Sequence, residues 1–407
     1  MPRCLIADMQ SDGHHARYIR WLLQAPYMQN AKPILAGPKS LFEHSEVADL
    51  SDRFVRLEID ITPRTRETID SASSFWGLWK RQLAYRSLYV RAVAIARKTE
   101  PVDLVFVPYT DHALDAWATF GSGFGGCPWV GINMHSVFHL GKLAGIISPH
   151  RIDTPIREML FRRLLRRRTL KKILTIDPVM PEYVSSFFPP AEAEKVAYLP
   201  DPSVLLEQDS CAMSRANLGI PQEAFTVLLY GALIPRKGVR ELILAADSDH
   251  CPSNVHLLIA GRQDPDVQKI MASPEAARLI QAGRLHCVKG YLDDNLERKV
   301  ISAANAMWVG YVDFYKMSSV LVLAARHGLP SIFTRQGIIG YLGRKHGLGV
   351  EIDPHRIDTV IAALIDLSSR FSEYKHAVAR AQAAFSTHTV ENMQHIVSAI
   401  CHDITGR

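Results

Sequence analysis

Two cations and a glycine stand together in Tyr230-Gly-Ala-Leu-Ile-Pro-Arg236-Lys237-Gly238-Val-Arg-Glu-Leu-Ile-Leu-Ala-Ala246. An apolar run, Phe225 to Tyr230, leads into Gly231, and a helix-period segment follows Gly238. The order is strand, basic glycine loop, helix. It sets Arg236 and Lys237 beside the free N–H groups of a helix start, which suits a diphosphate. Arginine offers a planar fork for two phosphate oxygens, and lysine offers a point charge. Val255-His-Leu-Leu-Ile-Ala-Gly261-Arg262 repeats the strand-then-glycine pattern. The plainer reading of Lys237 is a solvated turn residue paired with Glu241 at i,i+4.

Other segments have chemistry-bearing residues at comparable places. Asp8-Met-Gln-Ser-Asp-Gly13-His14-His15 follows an apolar run and precedes an amphipathic one, and Gly13 permits close approach of backbone to a ligand. Ser318 and Ser319 open an apolar segment ahead of Gly328-Leu-Pro330. They are placed to cap a helix, and their hydroxyls with the helix N–H groups could hold a phosphate or a sugar hydroxyl. Asp111, His112 and His135 follow apolar runs, where a carboxylate or imidazole can orient a hydroxyl or take its proton. We expect no metal site. His135 and His139 have H-x-x-x-H spacing without the glutamate of a zinc motif, and Asp247-Ser-Asp249 and Asp264-Pro-Asp266 read as turns.

Short apolar runs alternate with longer helix-period stretches, which predicts parallel sheets wrapped by helices. The expected strands of the first half are Cys4–Ala7, Pro33–Ala36, Phe54–Leu57, Leu104–Val107, Trp129–Ile132 and Ile173–Ile176. Those of the second half are Thr226–Tyr230, Val255–Ala260, Leu285–Val288, Ala306–Val309, Ser331–Phe333 and Gly349–Ile352. Two such sets make two doubly wound α/β domains, whose ligands lie beyond the carboxyl ends of the strands. The expected boundaries are a first domain over 1–188, a linker over 189–222, a second domain over 223–375, and a terminal helical segment over 376–407.

The strand–glycine–Lys237–Gly238 segment, together with Val255–Arg262, resembles the donor-binding domain of GT-B glycosyltransferases, family 4. The resemblance covers most of the chain. It implies two Rossmann-like domains facing each other across a cleft, with a nucleotide-sugar donor on the second domain, a glycan or lipid-linked acceptor on the first, and a terminal helix crossing back to the first. Gly13, Arg236, Lys237, Gly261, Arg262, Ser318 and Ser319 become donor-binding candidates, and His135, His112 and Asp111 catalytic candidates. The implied reaction is retaining and metal-independent, with no cofactor beyond the nucleotide-sugar co-substrate. One motif departs from the family: the two glutamate positions ahead of Gly328-Leu-Pro330 fall on Tyr315 and Leu323. The usual arginine after the first glycine is Ala232, and Arg236 stands in for it. These departures admit a second reading, a catalytically degenerate scaffold that binds a partner or a glycan. A sugar-nucleotide epimerase ranks third.

Hydrophobic content of 47% and charged content of 22% are those of a globular enzyme. The chain shows neither a membrane-spanning apolar stretch nor a signal-peptide layout, so it is read as cytoplasmic. The six cysteines are scattered without a C-x-x-C pair, as expected of reduced thiols. Charge is uneven. Residues 1–178 hold 25 Lys and Arg against 17 Asp and Glu, and the remainder 22 against 24. A basic first half suits an anionic partner. No helix-turn-helix, zinc-finger or RNP-like signature points to nucleic acid. Pro155 to Lys172 combines the apolar residues Ile156, Leu160, Phe161, Leu164 and Leu165 with a basic face including Arg162, Arg163, Arg166, Arg167 and Lys171. That composition suits a helix lying on an anionic membrane, and Phe75–Lys98 adds Trp76, Trp79, Tyr85 and Tyr89 among cations. The expectation is a peripheral contact at the inner face of the membrane, as in bacterial surface-polysaccharide assembly.

Overall fold

The computed structural model describes residues 3–71, 74–149 and 153–406, with only the backbone of Phe75. The chain divides into two compact units, one holding Met1–Lys142, His150–Pro202 and Thr389–Arg407, the other Leu143–Pro149 and Ser203–His388.

Unit 1 is built on a seven-stranded parallel sheet. Its strands are β1 (Cys4–Ala7), β2 (Ile34–Gly37), β3 (Val55–Glu58), β4 (Leu104–Val107), β5 (Trp129–Asn133), β6 (Leu170–Thr175) and β7 (Val196–Tyr198), in spatial order β3-β2-β1-β4-β5-β6-β7. β1, β2 and β4 are buried along their whole length, as befits strands covered on both faces. Strand order reverses between β1 and β4, where Ile6 stands opposite Phe106. At such a reversal the loops leave in opposite directions and open a crevice at the carboxyl edge.

Unit 2 repeats the plan with six parallel strands: β8 (Phe225–Tyr230), β9 (Val255–Gly261), β10 (Leu285–Lys289), β11 (Ala306–Val309), β12 (Ser331–Thr334) and β13 (Gly349–Ile352), ordered β10-β9-β8-β11-β12-β13. The reversal lies between β8 and β11, with Leu228 opposite Met307. Val227 and Leu229 of β8 join Val239, Leu242, Ile243 and Ala246 of the helix Val239–Ala246 in one core. Their spacing is two on the strand and three to four on the helix, so each element turns one apolar face to the other.

Both expected sheets form, and one strand is added: β7 pairs with β6 through Ile173 and Val196. Residues 189–222 are therefore not an open linker. Pro190–Ala193 is helical, β7 closes the first sheet, and Cys211–Leu218 is a helix packed on Asp294–Ala303 of unit 2. The chain passes from one unit to the other at Pro202–Ser203. At the far end, Phe371–Ala381 remains in unit 2 and the return starts at Thr389, not at 376. The helix Val390–Thr405 packs on Pro26–Ala31, where the Tyr27 N–H donates to Ser398 Oγ at 3.2 Å.

Candidate functional site

In unit 2 the candidate site lies at the strand reversal. Gly231 follows the end of β8 and Gly261 ends β9, with φ of 100° and 140°. Any Cβ on Gly261 would run into the Gly231 carbonyl oxygen, so glycine is required for the two strand ends to touch. Gly238 has φ of 74°, and a Cβ there would meet the Gly310 carbonyl oxygen. The Lys-Gly turn is thus pressed onto the end of β11, and Trp308 Nε1–H fixes it by donating to the Lys237 carbonyl at 2.7 Å.

Lys237 is half-buried and points its ammonium back at the β8 end, donating to the Tyr230 carbonyl at 2.6 Å. Its Nζ lies 5.7 Å from the Tyr311 ring centroid. Burial, and then the charge of Arg236, push Lys237 down to about 8. Arg236 is exposed and sits 4.7 Å above the Phe314 ring. Among the described residues neither cation has an acidic partner, and the Glu241 pairing is not made. Two cations left unneutralised beside a strained glycine turn can hold an anion. Arg262 is exposed immediately after Gly261, and its carbonyl accepts from the Leu233 N–H at 2.8 Å.

Ser318 occupies the N-cap of the helix Ser319–Arg326 without the expected side-chain cap. Its hydroxyl instead lies 3.5 Å from the Tyr311 hydroxyl, and Ser319 is exposed. Its backbone is extended, with φ −126° and ψ 119°, as at an ordinary N-cap, so the hydroxyl's departure lies in the side chain. Tyr311, buried and pushed up to about 12, therefore links Ser318 to the lysine. Sequence reasoning missed it, although its place two residues beyond β11 was a usable signal.

In unit 1 a second cluster gathers at the other strand reversal. Asp8 follows β1, and its carboxylate lies 2.9 Å from His15 Nδ1 in a buried pair. Burial draws the His15 pKa down, but the charge and hydrogen bond of Asp8, with Asp12 and Asp111, outweigh it and leave the pKa raised. His112 stacks on Tyr85 at 4.5 Å and packs on Tyr109 at 4.5 Å, with Nε2 3.1 Å from Gln10 Oε1. Burial and then the His15 charge push His112 down to about 3, so it is neutral near pH 7. His135 Nδ1 lies 2.5 Å from the Tyr109 hydroxyl. Asp111 accepts from the backbone N–H groups of Met134 and His135 at 2.9 and 2.7 Å and from Asn133 Nδ2 at 3.0 Å. It holds the loop after β5. Asp8, His15 and Tyr109 were not among the assigned residues, although Asp8 and Tyr109 stand within two residues of a strand end and His15 opens the helix that follows β1.

Of the donor-binding candidates, Arg236, Lys237, Gly261, Arg262, Ser318 and Ser319 belong to unit 2, and Gly13 to unit 1. Gly13 has φ of 65° and no neighbour that a Cβ would meet, so a left-handed turn requires it rather than crowding. His139 is fully buried, with Nε2 2.8 Å from Asp177, and does not turn toward His135's partner Tyr109. Asp264 caps the helix Pro265–Met271, and Asp247 receives the Arg278 guanidinium.

The basic helix takes a different form from the one its composition suggests. Leu160, Phe161, Leu164 and Leu165 of Thr154–Leu165 are core residues. Arg162 and Arg166 pair with the buried Glu192. Arg163 and Arg167 donate to the carbonyls of Thr119 and Ala118, and Lys171 is exposed on β6. Tyr85 and Tyr89 are likewise internal. Most of the apolar stripe belongs to the domain core while its first member, Ile156, is exposed, and the arginines bind loop carbonyls and an internal carboxylate.

Two doubly wound parallel sheets of this order define the GT-B architecture, and solved structures of GT-B glycosyltransferases match it over the whole chain. Alr3699/HepE from Anabaena, in complex with UDP and glucose, superimposes with a TM-score of 0.69 at 16% identity, covering 99% of this chain and 100% of that one. Sucrose-phosphate synthase from Thermosynechococcus elongatus gives 0.71 at 16% identity over 100% of both chains. WaaG, a glycosyltransferase involved in lipopolysaccharide biosynthesis, gives 0.63 at 15% identity over 100% of both. No family model and no curated protein matches the sequence.

Proposed function

We propose that this protein is a glycosyltransferase that moves a sugar from a nucleotide-diphosphate donor to a glycan or lipid-linked glycan. The observation that carries the reading is the pair of unneutralised cations, Arg236 and Lys237, on a glycine-built strand reversal in unit 2. Structural neighbours crystallised with UDP or UDP-glucose support a nucleotide-sugar as the ligand. Unit 1 supplies imidazoles, tyrosines and a buried Asp8–His15 pair at its own strand reversal, a surface of aromatic faces and polar tips suited to a carbohydrate acceptor.

The reading includes retention at the anomeric carbon without a metal. The bond from the anomeric carbon to the phosphate oxygen breaks, the acceptor oxygen bonds to that carbon on the same face, and the departing diphosphate takes the acceptor proton. Lys237 and Arg236 stabilise the charge that develops on the leaving group, which is catalysis by placed electrostatics. The acceptor class, surface-polysaccharide assembly and work at the inner face of a membrane belong to the same proposal, supported by the basic first half of the chain.

The test is a thermal-shift screen of UDP-, GDP-, ADP- and dTDP-sugars on wild type and Lys237→Ala, followed by NMR of any product's anomeric centre. Stabilisation by one nucleotide series, lost in Lys237→Ala, is the expected result. A folded wild type that responds to none would favour the degenerate scaffold.

A further inference from the structure

Three strand ends of unit 2 meet at Asp313. The residue lies beyond β11 with φ of 49°, in the left-handed region that side-chain-bearing residues avoid. Backbone held this way is retained where its surroundings fix it, and such positions gather at ligand sites. Here the surroundings are polar. Asp313 Oδ1 lies 3.0 Å from His355 Nε2, beyond β13, and 3.4 Å from Gln336 Nε2, beyond β12. Its other oxygen, Oδ2, has no hydrogen-bond or ion-pair partner among the described residues, and the side chain is 63% exposed. Gln336 is only 7% exposed, yet its Oε1 is buried without a donor. The corner lacks one hydrogen-bond donor and presents one unoccupied carboxylate oxygen.

The corner adjoins the two cations. The Val312 N–H donates to the Arg236 carbonyl at 2.9 Å, and the Phe314 ring lies under the Arg236 guanidinium. Asp313 stands between these two contacts, but its carboxylate makes no ion pair with Arg236 or Lys237. A ligand that joins an anionic group to a hydroxyl-bearing ring would meet both: the anion on the cations, and a hydroxyl donating to the carboxylate. A carboxylate accepts from hydroxyls through a charge-assisted bond.

We propose that Asp313 Oδ2 binds a hydroxyl of the sugar carried by the nucleotide-diphosphate donor, with His355 and Gln336 as positioning residues. The proposal rests on the donor-site reading above. The ribose of the nucleotide offers the same chemistry, so the test separates the two hydroxyl sources.

Calorimetric titrations would compare the bare nucleoside diphosphate with its tightest-binding sugar conjugate from a panel of glucose, galactose, mannose and N-acetylglucosamine forms. Asp313→Asn keeps the size and tolerates the left-handed turn, and Asp313→Gly removes the side chain while adopting that turn freely. Both variants should bind the bare diphosphate as wild type does and the sugar nucleotide about tenfold more weakly, the usual scale for a hydrogen bond to a charged group. Equal weakening of both ligands would place the carboxylate on the ribose and overturn the proposal. So would unchanged binding in Asp313→Asn, or a loss confined to Asp313→Gly, which would mean that only loop geometry matters. A wild type that binds no nucleotide would overturn the donor reading itself, a failure visible before any variant is made.

Discussion

At the scale of single residues, Lys237 sets a pH limit on anion binding. Burial disfavours its charged form, and Arg236 adds like-charge repulsion, which together push it down to about 8 from an ordinary lysine value of 10.5. Between those values the unfolded chain holds a proton on this lysine that the folded chain does not, so this group's contribution to stability rises with pH across the window. Affinity for an anion moves in the opposite direction, because only the protonated lysine attracts it. Nucleoside-diphosphate affinity should be flat below pH 8 and fall above it, by up to about tenfold per pH unit once the lysine is neutral. Titrations at pH 7, 8 and 9 check this, and Lys237→Ala should bind weakly with no break near 8. A wild-type profile that stays level to pH 9 would mean that Lys237 does not hold the anion. The lysine was legible in the sequence because its neighbours Arg236 and Gly238 are local. Asp313, Gln336 and His355 were not, because the order of β11, β12 and β13 brings them together and no spacing along the chain encodes it.

At the scale of elements, the strand ends of unit 1 carry titrating groups whose partners lie on other elements. His112, at the β4 end, faces Tyr85 and Arg81 of the helix Phe75–Thr99, Asp8 and Gln10 at the β1 end, and His14 and His15 at the start of His15–Leu23. With its folded pKa depressed to about 3 from 6.5, the unfolded chain takes up a proton below pH 6.5 that the folded chain refuses. Stability from this group is present above 6.5 and is lost as pH falls, at roughly 1 kcal/mol per pH unit. His15 acts in the opposite sense, since its raised pKa contributes stability at low pH that is lost as pH rises through the folded value. Denaturant melts at pH 7 and pH 5 should therefore show a shallower acid loss in His112→Gln than in wild type; equal slopes would assign the acid loss elsewhere. Both sheets were readable because parallel strands buried on two faces appear as continuous apolar runs, as in Leu104–Val107 and Val255–Gly261. β7 was not: three residues, Val196–Tyr198, behind Pro189-Pro190 are too short a run to stand out, and only pairing with β6 makes them a strand. The basic helix Thr154–Leu165 was only half legible for a related reason. An amphipathic pattern fixes that one face is covered, and the tertiary fold decides what covers it.

At the scale of the whole molecule, the uneven charge of the chain makes a prediction about where an anionic surface would meet it. Of the cations first considered, Arg162, Arg163, Arg166, Arg167 and Lys171, the arginines Arg162 and Arg166 are paired with Glu192 and are poorly placed to attract lipid. Three neighbouring helices of unit 1 expose apolar side chains instead: Leu83 at 41%, Phe120 at 59%, and Ile156 and Met159 at 54% and 57%. The helices are tied together through buried Asp115, which accepts from Gln82 and Arg157, and through Arg86, Arg163 and Arg167, which donate to the carbonyls of residues 118–121. A carbonyl acceptor does not neutralise a guanidinium, so apolar tips stand among cations, the combination that favours an anionic bilayer. Each cation near such a surface contributes about 1 kcal/mol, and the attraction is screened by salt. Flotation with phosphatidylglycerol vesicles should recover the protein at low salt, with less recovered on phosphatidylcholine or in high salt. Ile156→Ser with Met159→Ser should reduce recovery on the anionic vesicles. Arg162→Gln should leave it unchanged while lowering the melting temperature, because it removes a partner of the buried Glu192. Recovery that ignores lipid charge, or that depends on Arg162 and not on Ile156 and Met159, would move the contact away from this face.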